Sequence, residues 1–496
     1  MGKDFVTFHN CSAVALQDIP LHGMENFTAV LKNAIESEEC RVSAFFAEDN
    51  KLFAVLLDKK QRCFRAAAAE VGSSYPALTN SITALHWFER EIFEENNITP
   101  LGHPWLKPIR FSKKEAIPGS TGYFTMQGSA AHEVAVGPVH AGVIEPGHFR
   151  FQCMGEDVYS LEISLGYQHR GIEKMLIEAP AKLRSHLIET ASGDSSIAYA
   201  LGYDGVMTAL AGIPRELSER TQVLRTLALE LERIANHVGD IGALSGDVAY
   251  LTTNAYCGRI RGDFLNMTAQ LCGNRFGRNY INYGGVAFDL PVRELAALRE
   301  WFEKTVADFK NAWEIMADDP GVLDRFEGTG TVTGELLQSI GAVGVAARAG
   351  GLEIDARHDL GYIGVYDKLG WHIAVKRKGD VIARAKVRRR ELRESIRMVR
   401  ALFSWLENAG SSAGTYQDYP VELQSNMLAV SAVEAWRGEM VCVGISGNDG
   451  KLKRMKLVDP SFHNWFALAM ALRGEQISNF PICNKSFNLS YCGHDL

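Results

Sequence analysis

The chain has 496 residues, 46% of them hydrophobic and 22% charged, and 52 Lys+Arg against 59 Asp+Glu give a formal net charge of −7. These values are typical of a globular protein with a large core and roughly two to four domains, and they exclude a disordered chain, a collagen-like chain and a coiled-coil rod. The mildly acidic balance also argues against a general nucleic-acid binder, because contact with phosphates needs a basic face.

The first part of the chain is predicted to form a small α+β unit. An amphipathic helix is expected over residues 26–37, and two apolar runs at 41–47 and 52–57 flank a polar turn, which indicates a β-hairpin. Residues 112–124 mix proline, glycine and charge, as linkers do. We therefore predict one domain over 1–111 and a second over 125–496.

The second domain is expected to open with a small antiparallel sheet and to continue as a helical bundle. Strands are predicted over 133–140, 149–154 and 158–165. From 170 to 410, apolar residues recur at spacings of three and four, as in long amphipathic helices that pack together. The predicted class is α+β: a small N-terminal α/β sandwich-like domain, then a large mainly helical bundle domain with small antiparallel sheets.

Three local signals refine the second domain. One helix is expected to run from a Ser218 N-cap to a stop at Gly239. Another carries an apolar stripe from Leu392, with Arg388 to Arg390 crowding its start, either as a contact for a partner or as a solvated basic face. Near the C-terminus, apolar runs flank Gly-Asn-Asp-Gly at 447–450, a hairpin turn.

Several sites are excluded by the motifs that the sequence lacks. The nine cysteines include no Cys-x-x-Cys pair, so zinc-ribbon and iron–sulfur ligand sets have no basis, and reduced, buried thiols are expected. P-loop, dinucleotide and His-Glu-x-x-His motifs are absent too. No run of about 18 apolar residues predicts a transmembrane helix, so any membrane attachment would depend on partners.

A dense group of polar residues lies at the start of the second domain. It comprises the segments 137–140, 145–151 and 166–174, which are rich in histidine, arginine and glutamate. His169 and Glu173 are four residues apart, so they would share a helix face if a helix opened at Gly171. Each of these residues could instead make only a structural hydrogen bond, and both readings stay open.

The motifs in and beyond this group resemble those of the group 4 [NiFe] hydrogenase large subunits, as in formate hydrogenlyase, and of the related forty-nine-kilodalton subunit of complex I. The N-terminal part is similar to the thirty-kilodalton subunit of complex I, through residues 86–93 and 102–106. The resemblance of the second domain is carried by Gly-Pro-x-His at 137–140, Glu-Pro-Gly-His-Phe-Arg at 145–150, His-Arg-Gly-x-Glu-Lys at 169–174, Glu232-Arg233 with His237, and Ala347-Arg348-Ala349 before Asp355 and Arg357.

The resemblance implies a nickel site that this sequence does not supply. In the family, two Cys-x-x-Cys pairs hold nickel, because soft thiolates are needed to bind it and bridge it to iron. The first pair would fall at about Gly193 and Ser196, and the chain has no cysteine between Cys153 and Cys257. The second would fall at Ser490 and Gly493, beside Cys492. We therefore expect no metal ligand set and no NiFe centre.

The emptied cavity remains a candidate catalytic site. By resemblance, it would be lined by Asp194 with Ser195 and Ser196, and by Ser490, with Glu173 beside it. His148 and His169 are further candidate catalytic residues. A cavity of carboxylates, hydroxyls and imidazoles can relay protons or bind a polar acceptor. The family's quinone contacts do not carry over cleanly, so quinone stays an open alternative.

The cofactor is expected in a partner. By resemblance, His140 and Arg150 would face a terminal [4Fe–4S] cluster of a small iron–sulfur subunit like the twenty-kilodalton subunit of complex I. The other implied partners are a ferredoxin-like 8Fe subunit and membrane subunits like antiporters and like the quinone-channel subunit.

Two functions follow from the resemblance. In the first, the chain is an oxidoreductase subunit of a membrane-bound, ion-translocating complex, placed peripherally at the cytoplasmic face, that takes electrons from the cluster to an acceptor. In the second, it is a non-catalytic scaffold that couples the electron-transfer arm to the membrane subunits.

Overall fold

The computed structural model describes residues 4–113, 116–140, 144–213, 217–361, 364–408 and 422–496. Lys114 and Glu115 of the predicted linker lie outside these ranges. Before the linker, short strands surround two helices. These elements are β1 Val6–Phe8, β2 Ser12–Ala15, β3 Leu21–His22, α1 Met24–Glu36, β4 Arg41–Glu48, β5 Lys51–Asp58, β6 Cys63–Glu70, β7 Ser74–Pro76, α2 His86–Asn96 and β8 Thr99–Leu101.

Long helices dominate the chain after the linker, with short strands at both ends. The elements are β9 Ala131–Val136, β10 His148–Met154, β11 Asp157–Ser164, α3 Ile172–Glu178, α4 Ala181–Ile188, α5 Ser196–Leu210, α6 Glu219–Asp247, α7 Leu251–Cys272, β12 Ile281–Asn282, β13 Gly285–Val286, α8 Val292–Ala317, α9 Pro320–Phe326, α10 Gly334–Ser339, α11 Gly344–Ala349, α12 Ala356–Asp359, α13 Val381–Asn408, β14 Met427–Ala435, β15 Gly438–Ser446, β16 Leu452–Val458, α14 Pro460–Ala471, α15 Phe480–Phe487 and α16 Tyr491–Asp495.

The strands form small, mostly antiparallel sheets. The first has the order β1-β6-β5-β4, with β3 added beside β6, the second has the order β11-β10-β9, and the third has the order β16-β15-β14-β2. Strand β2 lies before the linker, yet it pairs with β14 through Ser12–Ala15. The two parts of the chain thus share a sheet and one continuous hydrophobic core. The division at 112–124 stays a prediction.

Most of the predicted elements are confirmed. Helix α1, the hairpin β4–β5, the sheet of β9 to β11 and the hairpin β15–β16 lie where the patterns place them. The apolar stripe of α8 is buried, and each such Leu or Phe contributes roughly 1.5–3 kcal/mol to folding. Long helices with several small sheets confirm the α+β class.

The predicted end of α6 is wrong. Ser218 is the N-cap, and its Oγ accepts a hydrogen bond from the Thr221 backbone N–H at 3.2 Å, but the helix continues through Gly239 to Asp247. A side-chain carbon added to Gly239 would lie 2.7 Å from Cδ of Arg261 on α7. This glycine therefore permits close helix packing and does not end the helix.

The predicted position of Arg388 to Arg390 at the start of a helix is also wrong, and a solvated face holds for Arg390, which is exposed, but not for Arg388. Helix α13 begins at Val381, so these arginines lie inside it and do not crowd its start. Arg388 is buried and donates to Asp240 at 2.7 Å and to the Ser486 carbonyl at 2.7 Å. The charge of Arg388 is used in hydrogen bonds that join α13 to α6 and to α15. Neither a partner chain nor an exposed position is needed to account for this arginine.

Candidate functional site

Two loops that are distant in sequence meet at the start of α5 and of α16. Ser192 Oγ lies 3.1 Å from Ser490 Oγ. Ser490 is the N-cap of α16, where its Oγ accepts from the Gly493 backbone N–H at 3.0 Å. These are the two segments in which the sequence lacks the expected cysteine pairs, so the structure brings the loops of Asp194 and Ser490 together.

Asp194 is held by an arginine that the sequence analysis did not identify. Arg437, at the turn between β14 and β15, donates two hydrogen bonds to the Asp194 carboxylate at 2.6 and 2.8 Å and a third to the Asn488 carbonyl at 2.6 Å. Its guanidinium also lies 3.8 Å from the ring centroid of Trp436. Burial alone would raise the pKa of Asp194, but the charge and hydrogen bonds of Arg437 lower it. The carboxylate is therefore ionised and neutralised in place.

The side chains around Asp194 form a poor ligand set for nickel. Cys492 is the cysteine in contact here, with Sγ 3.4 Å from Ser490 Oγ. Burial, together with the nearby Glu145, raises the pKa of its thiol to about 12, so it is protonated at neutral pH. The other donors among the described residues are serine hydroxyls and a carboxylate paired with arginine. Nickel in a [NiFe] centre needs several soft thiolates, which this set does not offer.

Two polar residues of α6 make hydrogen bonds to the Asp194 loop and to the start of α5. Asn236 Nδ2 donates to the Asp194 carbonyl at 2.8 Å. The Glu232 carboxylate accepts from the backbone N–H groups of Ile197 and Ala198, at 2.8 and 3.3 Å, at the start of α5. Burial and the charge of Asp194 outweigh these bonds and raise the pKa of Glu232 to about 8. Near neutral pH, Glu232 is thus largely protonated. We call Ser192, Asp194, Glu232, Asn236, Arg437, Ser490 and Cys492 the Asp194 cluster.

Glu173 lies in a different group of charges. Its Oε1 accepts from the Leu457 backbone N–H at 2.7 Å and from Lys456 Nζ at 3.1 Å, and none of its hydrogen bonds or ion pairs among the described residues reaches the Asp194 cluster. Three carboxylates here approach within 4.8 Å of one another, but cations already neutralise them. We call this group the Glu173 cluster: Glu91, Glu95, Arg110, Glu173, Arg454 and Lys456.

His169 contacts the C-terminal helix. Its Nδ1 lies 2.7 Å from the Asp495 carbonyl oxygen. Gly171 caps α3 with a φ of 73°, a left-handed conformation that favours glycine, and the helix begins at Ile172. His169 therefore precedes the helix, and the expectation that it shares a helix face with Glu173 is wrong.

The remaining candidates lie in the hairpin that leads into β10. His148 Nδ1 is 3.3 Å from the Gly137 carbonyl, its Nε2 is buried without a hydrogen-bond partner among the described residues, and burial lowers its pKa. His140 Nε2 lies 2.9 Å from the Gly147 carbonyl. Arg150 donates to Glu133 at 3.2 Å. Whether His140 and Arg150 face a partner stays a prediction.

The motif residues of the bundle pair with one another. Arg348 on α11 donates to Glu391 at 2.8 Å and to Glu434 at 2.7 Å, and Glu391 also lies 2.7 Å from Nε2 of His237. All of these side chains are buried. Their contacts join α6, α11, α13 and β14, so they fix the frame that carries the Asp194 cluster.

Comparison with known proteins assigns this frame to a family. Residues 247–495, half of the chain, match the family model described as "Respiratory-chain NADH dehydrogenase, 49 Kd subunit". The chain belongs to this forty-nine-kilodalton subunit family. Formate hydrogenlyase subunit 5 of Escherichia coli (strain K12) is 25% identical over 470 residues, 88% of this chain and 80% of the relative. An NADH-quinone oxidoreductase subunit of Clostridium beijerinckii is 30% identical over 267 residues, 53% of this chain and 70% of the relative.

A solved structure agrees with this assignment. A chain in the structure of the membrane-bound sulfane sulfur reductase (MBS), an archaeal respiratory membrane complex, matches with a TM-score of 0.66 and 25% identity, over 74% of this chain and 99% of that chain. In this member of the family, as far as the structure describes it, no helix combines the length and apolar character that crossing a membrane requires.

Proposed function

We propose that this member of the forty-nine-kilodalton subunit family is part of a membrane-associated, ion-translocating oxidoreductase complex, that it accepts electrons from a partner iron–sulfur subunit, and that it works without a NiFe centre. Support comes from the family itself and from relatives that are named as a formate hydrogenlyase subunit, an NADH-quinone oxidoreductase subunit and a chain of a respiratory membrane complex.

The observation that carries the proposal is the Arg437–Asp194 ion pair. It lies at the meeting point of the two loops that would each supply a cysteine pair. The guanidinium of Arg437 holds both oxygens of the Asp194 carboxylate, so this carboxylate is not free to bind a metal cation. Among the described residues, Cys492 is the one thiol of this cluster, and a NiFe centre needs several. These features favour an acceptor that binds through hydrogen bonds and charge.

The surrounding residues suit an electron transfer that is coupled to protons. Glu232 holds a proton near neutral pH beside Asp194, and a group with such a pKa can donate a proton at the operating pH. Asp194 stays ionised and orients Arg437. The electrons would come from the partner's [4Fe–4S] cluster, next to His140 and Arg150, and quinone stays open as the acceptor.

The proposed assembly follows the family. The partners would be a small iron–sulfur subunit, a ferredoxin-like 8Fe subunit, antiporter-like membrane subunits and a quinone-channel-like membrane subunit, with this chain bound peripherally at the cytoplasmic face. Residues 1–111 would correspond to the thirty-kilodalton subunit of complex I. The 88% share matched by formate hydrogenlyase subunit 5 is larger than residues 125–496 alone could supply, so that alignment extends into the N-terminal part.

One observation favours the alternative of a non-catalytic scaffold. Arg437 engages both oxygens of Asp194 and lowers its pKa, so this carboxylate is a poor proton acceptor near neutral pH. An ion pair that joins the β14–β15 turn to the α5 loop could serve only to hold the two loops together.

Turnover of the purified complex separates the two functions. We expect Asp194→Asn to abolish turnover while the complex assembles with its iron, because Arg437 loses its counter-charge and moves. Asp194→Glu keeps the charge and should retain part of the activity. Arg473→Gln, an exposed arginine at the end of α14, is the matched control. Full turnover in Asp194→Asn would establish the scaffold.

A further inference from the structure

Three arginines without partners border the Asp194 cluster. The guanidinium groups of Arg261, Arg275 and Arg278 make no hydrogen bond or ion pair with any residue that the structure describes. Arg275 and Arg278 are exposed, and Arg261 is half-buried. Most other arginines near this site are paired, as Arg437 is with Asp194 and Arg388 is with Asp240.

The three side chains lie close to the same loop. A side-chain carbon placed on Gly193 would be 3.7 Å from Nη2 of Arg278. Arg261 packs across Gly239, one helical turn after Asn236, which itself donates to the Asp194 carbonyl. A carbon placed on Gly262, next to Arg261, would be 3.8 Å from Nη2 of Arg275. The α7 helix and the loop after it thus place Arg261 and Arg278 beside the Asp194 cluster, and Arg275 lies farther along, over Gly262 of α7.

The acidic groups on this side do not neutralise them. Asp194 is already paired with Arg437. Glu189 accepts from the Asn279 backbone N–H at 2.8 Å, but burial raises its pKa to about 7 despite the charge of Arg278. Glu232 is buried and largely protonated, as described above. The rim therefore carries a net positive charge.

We propose that Arg261, Arg275 and Arg278 form a binding site for a small oxyanion from solution, such as inorganic phosphate or sulfate, or an acceptor with that chemistry. The planar guanidinium presents paired N–H donors that match an oxyanion, and a bound anion would supply the negative charge that no described residue provides to these arginines. This inference rests on the proposed function, since it names the class of ligand that would bind beside the Asp194 cluster.

Phosphate binding by the purified complex tests the site. We expect calorimetry at constant ionic strength to detect phosphate binding to the wild type. Each of Arg275→Gln and Arg278→Gln should weaken it about tenfold, because a charge-assisted hydrogen bond is lost. Both residues are exposed, so these variants should fold, and Arg261→Gln is the third variant. The control Arg473→Gln, which removes one exposed charge elsewhere, should leave binding unchanged.

Several results would overturn the site. No phosphate binding by the wild-type complex would show that these arginines do not form an oxyanion site. Binding only to vesicles that contain phosphatidylglycerol would assign the rim to lipid headgroups. Equal weakening in Arg473→Gln would reveal non-specific attraction. Each of these leaves the proposed function intact, whereas stoichiometric nickel in the same preparation would overturn the proposed function without altering the phosphate result.

Discussion

The Asp194 cluster and the Glu173 cluster are both rich in charge, but they balance that charge differently. In the Glu173 cluster, three cations meet three carboxylates, and Arg110, Lys456 and Glu91 are almost fully buried. In the Asp194 cluster, Arg437 and Asp194 form one ion pair. Arg261, Arg275 and Arg278 at its rim have no hydrogen-bond or ion-pair partner for their guanidinium groups among the described residues. We expect the Glu173 cluster, whose charges are buried and balanced, to stabilise the contact between the two parts of the chain. The rim of the Asp194 cluster, whose positive charges are not balanced, is available for a ligand.

The largest effect is expected from unbalancing the Glu173 cluster. Arg110→Met would leave Glu91 buried with one cation fewer, and breaking a buried ion pair from one side costs about 3–5 kcal/mol. Urea denaturation of the purified chain measures the free energy of unfolding. Arg473→Met, at an exposed site, is the control. A loss no larger than that of the control would show that the cluster does not stabilise the join.

A smaller effect is expected at the Asp194 cluster. Asp194→Asn and Arg437→Met, alone and combined, form a double-mutant cycle whose coupling energy we expect to be about 2 kcal/mol. We expect less than for Arg110 because the Asp194 side chain is 32% exposed and solvent weakens the pair. Additive effects in the cycle would mean that the two loops are held by other contacts.

The smallest expected effect depends on pH. Because the pKa of Glu232 is raised to about 8, the folded state holds a proton that the unfolded state releases near pH 4.5. The associated stability is therefore present at low pH and is lost as the pH rises toward 8, by about 1 kcal/mol between pH 6 and 7. Glu232→Gln should remove this slope, while Glu300→Gln, an exposed control on α8, should retain it. Identical slopes in wild type and Glu232→Gln would place the proton elsewhere.

Local patterns predicted the fold well because they depend on neighbours in sequence. The apolar runs of β4 and β5, the stripe of α8 and the Ser218 cap all act within a few residues. The errors arose where tertiary packing decides. The sequence around Gly239 is typical of a helix stop, but in the structure α7 packs against this glycine. A run of arginines is typical of a solvated face or a partner contact, but Arg388 makes an internal contact with Asp240.

The candidate site was predictable only in part. The positions that the resemblance implies for the two cysteine pairs pointed to the loops of Asp194 and Ser490, which meet in the structure. Arg437 could not be found in this way, since it lies 243 residues from Asp194 and its local signal, a charged residue at a hairpin tip, indicates only a turn. The three rim arginines could not be found from the sequence either. They stand out because their guanidinium groups have no hydrogen-bond or ion-pair partner among the described residues, which only the structure shows.

Metal analysis of the purified complex tests the central claim most directly. Cells grown with ample nickel should yield a complex that contains the iron of its partner subunits and no stoichiometric nickel, because the Asp194 cluster as described offers a single thiol, hydroxyls and an arginine-paired carboxylate. One nickel per chain, bound within this polypeptide, would contradict the account.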